Sequence, residues 1–286
     1  MRQALIIAWY TAVRQLRDTQ SLLLQVALPI LLIVLLGGAL SDGLGIPGSP
    51  GTAEQTAERA PRLVEPEVPV ITRLATHKGL PLRATDYYAV TITVMIVLFG
   101  ALYVSDSMHE LRVVTAARQM AGRSRASAIT GVVLASTLTV WLQALLLAVV
   151  TRVGLNAAWG VRPLWLAMTL LVVALFACTA GGIAALTVRS QSRTTLLLQV
   201  LIFGSTVAAG GFIPYTASAG ALRLLRRATP SHAAHQALFG LIHAAGADGA
   251  ANQLPAVVTH ALGRLLLATL VCAIVLAVRC RRSDAP

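Results

Sequence analysis

A chain of 286 residues that is 56% hydrophobic and only 12% charged, with a mean hydropathy of +0.74, is not a soluble globular protein, in which about 25% of residues are charged. Its net charge of +12, from 23 Lys and Arg against 11 Asp and Glu, could suggest nucleic acid, but a basic stripe needs a soluble face to lie on. The composition is that of a membrane protein, so the arginines must be read by their positions.

Residues 2–17, RQALIIAWYTAVRQLR, come first. At about 100° per residue, Leu5, Ile6, Trp9, Ala12, Val13 and Leu16 share one arc. Gln3, Tyr10, Thr11, Arg14, Gln15 and Arg17 fill the other, with Ile7 out of place. This pattern predicts an amphipathic helix in the membrane interface plane. Thr19, Gln20 and Ser21 break the pattern before the next run and separate this helix from it.

Six apolar runs follow that are long enough to cross about 30 Å of hydrocarbon at about 1.5 Å per residue. They cover residues 21–40, 87–105, 127–150, 164–188, 194–212 and 257–278. The first five hold no charged residue, and the sixth holds Arg264 about a turn and a half in, where a long side chain can reach back to the interface. A signal peptide would have an apolar core of about 7–15 residues and a small-x-small cleavage site; the opening run is longer and no A-x-A follows it. The expected fold class is therefore all-α integral membrane, with six transmembrane helices.

Between these runs, residues 41–86 contain six of the twelve prolines, the run GIPGSPG and six acidic residues. A segment of this size buries little core and is expected to pack over the mouth of the bundle. Residues 108–125, MHELRVVTAARQMAGRSR, carry a charge cluster. Val113, Val114, Ala117, Met120 and Ala121 fall on one arc and Arg112, Thr115, Arg118 and Gln119 on the other. Gly122 suits a C-cap and Ser124 an N-cap. The segment reads either as a short helix lying across the membrane face or as a solvated basic loop. The fifth run ends in GGFIP, where the glycines permit close backbone approach and the proline stops the helix. Residues 214–255 then contain two moderately apolar pieces, 219–225 and 231–245, too short to span and expected as re-entrant or interfacial helices.

With six spans both termini share one side. Lys and Arg divide twelve to eleven between the sides, which decides nothing. In the short connections, which carry the positive-inside signal, six arginines lie on the side of the termini and two opposite. Cytoplasmic termini follow.

Catalytic chemistry is sparse. Cys178, Cys272 and Cys280 have no paired spacing. His232 and His235 stand at i, i+3 with His243 further on, a ligand-like spacing, yet no acidic residue is near them and H-E-x-x-H is absent. Neither G-x-S-x-G nor the phosphate loop G-x-x-x-x-G-K-[ST] occurs, so this chain cannot hydrolyse ATP alone. The apolar runs contain hydroxyl and amide groups at Thr91, Thr93, Thr137, Thr139, Gln143, Thr169, Thr179, Gln199, Ser205 and Thr206. Apart from Arg264, and Asp106 at the end of the second run, they hold no charged residue. Ion coupling would need more. Scattered hydroxyls suit an amphiphilic or lipid-like cargo, and they are also ordinary helix-packing groups.

Several stretches, taken in order, resemble a known family: RQLRD before LPILLIVLLG, DYYAVT leading into the second run, GRSRASAITG before the third, WLQALLLAV, GGFIP, and ATPSHAAHQAL before the last. Together they are similar to the ABC-2 family of ABC exporter permeases, in particular the linearmycin-type and daunorubicin-type resistance branch. The resemblance implies a six-helix membrane half, in a bacterial plasma membrane, that forms a homo- or heterodimer and carries two separate ATPase subunits. No cofactor is expected in this chain, ATP and Mg belonging to the partner. It implies that 108–125 is the coupling loop, with Glu110 at the family's acidic position, Arg123, Ser124 and Arg125 at its Ser-Arg turn, and Arg112 and Arg118 alongside. Spans two and five would line the dimer interface, placing Tyr88, Thr91, Gln199, Ser205 and Thr206 on the translocation path. The chain departs from the family at Val113, Val114 and Thr115, where G-T-L is usual, and at Gly122, where proline is usual. An importer coupling loop is a looser likeness, since Thr115 stands where its glutamate would be. A polytopic membrane enzyme or a scaffold is the alternative of a different class.

Overall fold

A computed structural model describes residues 31, 84–118, 125–157, 159, 163–211, 229–244 and 256–284. The expected interfacial helix at 2–17, the run at 21–40 apart from Leu31, and nearly all of 41–86 lie outside the described residues, as do 119–124, 212–228 and 245–255. Six helices are described: α1 Ala84–Arg118, α2 Arg125–Leu155, α3 Pro163–Thr187, α4 Gln191–Ala208, α5 Pro230–Ala244 and α6 Ala256–Asp284.

Among the described residues four helices are long and apolar enough to cross a membrane: Asp86–Leu111 of α1, Ala126–Gly154 of α2, Pro163–Thr187, which is all of α3, and Ala256–Cys280 of α6. This corrects the expectation of six spans. Helix α4, from the run at 194–212, does not qualify. It has 18 residues, about 27 Å at the usual rise, and Gln191, Ser192, Arg193 and Gln199 dilute its apolar character.

A second correction concerns the charge cluster. Helix α1 runs 35 residues without a break to Arg118, so the first half of 108–125 extends the span and is no separate helix lying across the membrane face. No Gly or Pro interrupts residues 101–118, and the hydrogen-bond ladder carries through the polar residues.

Helix α1 is the centre of the bundle. In its spanning window 78% of residues are buried, against 22% for α6. It packs most extensively on α3, then on α2 and α4. The α1–α3 crossing is close because Gly181 faces Ala101: a Cβ there would stand 2.7 Å from the Ala101 Cα and nearer still to its carbonyl oxygen. The Trp141 indole on α2 donates to the Ala167 carbonyl of α3 at 2.8 Å. Outside, Leu134, Leu138, Leu142 and Leu146 form an exposed ridge at four-residue spacing on α2, and Leu266, Leu267, Leu270, Val271 and Ile274 are exposed on α6. Surface of this kind suits acyl chains, which solvate apolar side chains as water does not.

Candidate functional site

Two clusters of polar groups, at opposite ends of α1, join it to α4. Tyr87 and Glu110 are about 35 Å apart along the helix, so the clusters lie at the two ends of the spanning segment.

At the Glu110 end, Gln191 Nε2 donates to Asp106 Oδ1 at 3.2 Å, and His109 Nε2 lies 3.2 Å from the Thr194 hydroxyl. That hydroxyl has one proton, which it gives to the Ser190 carbonyl at 2.9 Å. The His109 ring must therefore donate, and its proton is on Nε2. Asp106 and His109 are three apart, as are Gln191 and Thr194, so each pair lies on one helix face and the crossing is pinned at two points. Glu110 is exposed beside this crossing, and Arg189, Ser190, Gln191, Ser192 and Arg193 of the α3–α4 turn are also exposed.

Midway, Phe99 and Phe203 meet edge to face, with ring centroids 5.6 Å apart. At the far end the Tyr87 hydroxyl donates to the Gly210 carbonyl. The turn it reaches is a Schellman motif: Gly210 N–H bonds Val207 O at 2.9 Å, Gly211 N–H bonds Thr206 O at 2.9 Å, and Gly210 has φ of 86°, which glycine adopts without penalty. The glycines stop α4 at Ala208, ahead of Pro214. Gly211 also lets the helices close up, because a Cβ there would come within 2.9 Å of Thr91 Cγ2 and 2.8 Å of Thr206 Cγ2.

Helix α5 closes this end. The Ser231 hydroxyl donates to the Ser205 carbonyl at 2.9 Å. Phe239 stacks on Tyr87 at 5.5 Å and Tyr88 meets Tyr87 edge to face at 5.3 Å. His235 is buried, donates from Nδ1 to the Ser231 carbonyl at 2.7 Å and lies 6.2 Å from the Phe239 ring. No group of three or more His, Cys, Asp or Glu able to hold a metal occurs among the described residues.

The expected path residues separate. Tyr88, Thr91, Ser205 and Thr206 gather around the Gly210 end of α4, while Gln199 is exposed among Leu196, Val200 and Phe203 on the outer face of α4. Thr206 donates to the Ile202 carbonyl at 2.8 Å and Ser205 to the same carbonyl at 3.1 Å. Thr137, Thr139, Thr169 and Thr179 likewise bond one turn back within their own helices. Those hydroxyls are satisfied packing groups. Tyr88, Thr91, Thr93 and Ser105 of α1 differ: they are buried, and their hydroxyls have no hydrogen-bond partner among the described residues.

Of the expected coupling residues, Glu110 ends the spanning part of α1. Arg112 and Arg118 continue that helix and Arg125 starts α2; Arg123 and Ser124 lie outside the described residues. Asp106, seen in the sequence only as a charge at the end of a span, and His109, Gln191 and Thr194, not singled out there, make the contacts at this end. Each helix end shows a polar pair at i, i+3 in the sequence, but that spacing does not say which helix the pair will meet.

Residues 2–242 match the model of the ABC-2 type transporter family. No curated protein matches the chain in sequence.

Proposed function

The chain belongs to the ABC-2 type transporter family, and on that premise we propose that it is the membrane subunit of a bacterial ABC exporter that moves an amphiphilic or lipid-like compound outward. As a member of this family it is a multi-pass transport subunit and not an enzyme. ATP is bound and hydrolysed in two copies of a separate subunit, and a second permease half, identical or different, completes the pathway. The chain sits in the plasma membrane with its termini cytoplasmic, and we place it in the linearmycin-type and daunorubicin-type resistance branch of the family, which its sequence stretches resemble.

The observation that carries this reading is the pinning of α1 to α4 at both ends, Asp106 to Gln191 and Tyr87 to Gly210. The partner ATPase presses on Glu110, Arg112, Arg118, Arg123, Ser124 and Arg125. Because α1 extends unbroken through Arg118, a push there acts on the span itself. The close Gly181–Ala101 crossing leaves α1 no room to tilt alone, so α1, α3 and α4 move together. Access then changes between the two halves of the dimer, where two such bundles rock against each other. The hydroxyls of Tyr88 and Thr91, which have no hydrogen-bond partner among the described residues, lie at the end of the bundle where cargo leaves, and a polar cargo group would satisfy them.

Two measurements test this. The tagged chain, expressed with the genes that neighbour its own, is expected to bring down an ATPase with a phosphate loop; capture of no such protein removes the exporter reading. In the reconstituted complex, Glu110→Arg is expected to abolish transport-stimulated ATP hydrolysis while membrane insertion stays normal. Unchanged stimulation would count against the coupling role.

A further inference from the structure

Arg264 is the one charged side chain inside the spanning part of α6 away from its ends. It is half-buried at the edge of the packed face formed by Val258, Ala261 and Leu265. An arginine at this position needs an anion or water, because an unpaired charge in hydrocarbon is costly. Among the described residues no anion lies on the helices that pack against it. Helix α6 packs on α3, α5 and, more lightly, α2, and none of these three contains Asp or Glu. The only carboxylate on α6 itself is Asp284, near the opposite end of the helix. Arg264 has no ion pair or hydrogen bond with the described residues.

The surroundings are apolar and exposed. Only 22% of the spanning window of α6 is buried, and Val257, Leu267 and Val271 are exposed around Arg264. His260, one turn nearer the helix start, is exposed on the same face. Between them, a Cβ at Gly263 would meet nothing within 4 Å, so the helix surface is recessed beside the guanidinium.

We propose that Arg264 and His260 bind the phosphate of a membrane phospholipid, with its acyl chains lying over Leu267 and Val271 and its glycerol end in the recess at Gly263. The planar guanidinium donates two parallel N–H bonds to phosphate oxygens, a geometry that lysine cannot reproduce. The imidazole, a turn closer to the headgroup layer, supplies a further donor. Simple snorkelling into interfacial water is the competing account. It predicts no preference for phosphate and no difference between Arg and Lys. The site depends on membrane embedding and not on any ATPase partner, so it stands or falls separately from the exporter reading.

The test uses the full chain, stripped of lipid in detergent and titrated with dioleoyl phosphatidylglycerol or, as the phosphate-free control, dioleoylglycerol, with bound lipid counted by native mass spectrometry. Wild type is expected to bind phosphatidylglycerol saturably and dioleoylglycerol at least tenfold more weakly. Arg264→Leu should lose about tenfold in phosphatidylglycerol affinity, roughly the worth of one charge-assisted contact, and Arg264→Lys about threefold or more. Equal binding of the two lipids by wild type overturns the proposal, as does wild-type phosphatidylglycerol affinity in Arg264→Leu or in Arg264→Lys. Circular dichroism checks that the variants fold. Should Arg264→Leu not fold, the exposed His260→Ala decides: about threefold weaker binding supports the site, and unchanged binding overturns it.

Discussion

His109 on α1 donates from Nε2 to the hydroxyl of Thr194 on α4 across 3.2 Å, joining residues 85 positions apart in the chain. The contact is buried and stands one residue before Glu110. With the Asp106–Gln191 bond it fixes how the charged end of α1 bears on α4. His109→Ala is expected to cost about 1 kcal/mol of stability, the usual net worth of one such bond. Its larger effect is expected on coupling. In a reconstituted complex, ATP hydrolysis should persist while its stimulation by cargo falls several-fold. Combining Asp106→Ala with Gln191→Leu in a double-mutant cycle, read by thermal melting in detergent, should give a coupling energy of about 0.5–1.5 kcal/mol. A coupling energy of zero would mean that the helix ends are not held together by this pair.

Gly181 sets the distance between α1 and α3, because its missing Cβ is the space that the Ala101 backbone occupies. Backbone cannot rotate away as a side chain can, so the helices must separate to admit even one carbon. Gly181→Ala is expected to destabilise by about 1–3 kcal/mol, the range of overpacked cores, and Gly181→Leu to prevent a monodisperse product in size-exclusion chromatography. Gly204, on the outer face of α4 with nothing within 4 Å of a Cβ, is the matched control. Gly204→Ala should be neutral within the single chain and should gain slightly in helix propensity.

Membrane embedding was legible from composition, and the runs at 87–105, 127–150, 164–188 and 257–278 correspond to α1, α2, α3 and α6, because apolar length is itself the signal. The run at 194–212 misled for two physical reasons. The first turn of helix α4 is polar, from Gln191 to Arg193, and the φ of 86° at Gly210 ends the helix in a Schellman turn four residues before the proline. Of the residues 112–121 read as an amphipathic helix, those up to Arg118 are helical, but as the continuation of α1; periodicity reports a helix face and says nothing about where the axis points. The α1–α4 contacts were not legible. Asp106, His109, Gln191 and Thr194 form bonds between distant parts of the chain, and no local pattern encodes which polar side chain another helix will present. Hydroxyls in the spans looked alike in the sequence. Only the geometry divides Thr206, which bonds its own helix, from Thr91, which does not.

That division gives the last prediction. Thr91 is fully buried and its hydroxyl has no hydrogen-bond partner among the described residues, and a buried hydroxyl that has no partner costs about 1–3 kcal/mol. Thr91→Val keeps the shape, including the methyl that packs near Gly211, and removes the oxygen. In the empty protein it is expected to leave the melting temperature unchanged or raise it. Thr206→Val removes a bond that is made, to the Ile202 carbonyl at 2.8 Å, and should lower stability by about 0.5–1 kcal/mol. If the Thr91 hydroxyl serves cargo, its removal should also raise the cargo concentration needed for half-maximal stimulation of ATP hydrolysis, while Thr206→Val leaves that concentration unchanged. A Thr91→Val protein that is more stable yet handles cargo like wild type would place this hydroxyl outside the path; one that loses both stability and cargo response would show that the hydroxyl is bonded in the folded protein.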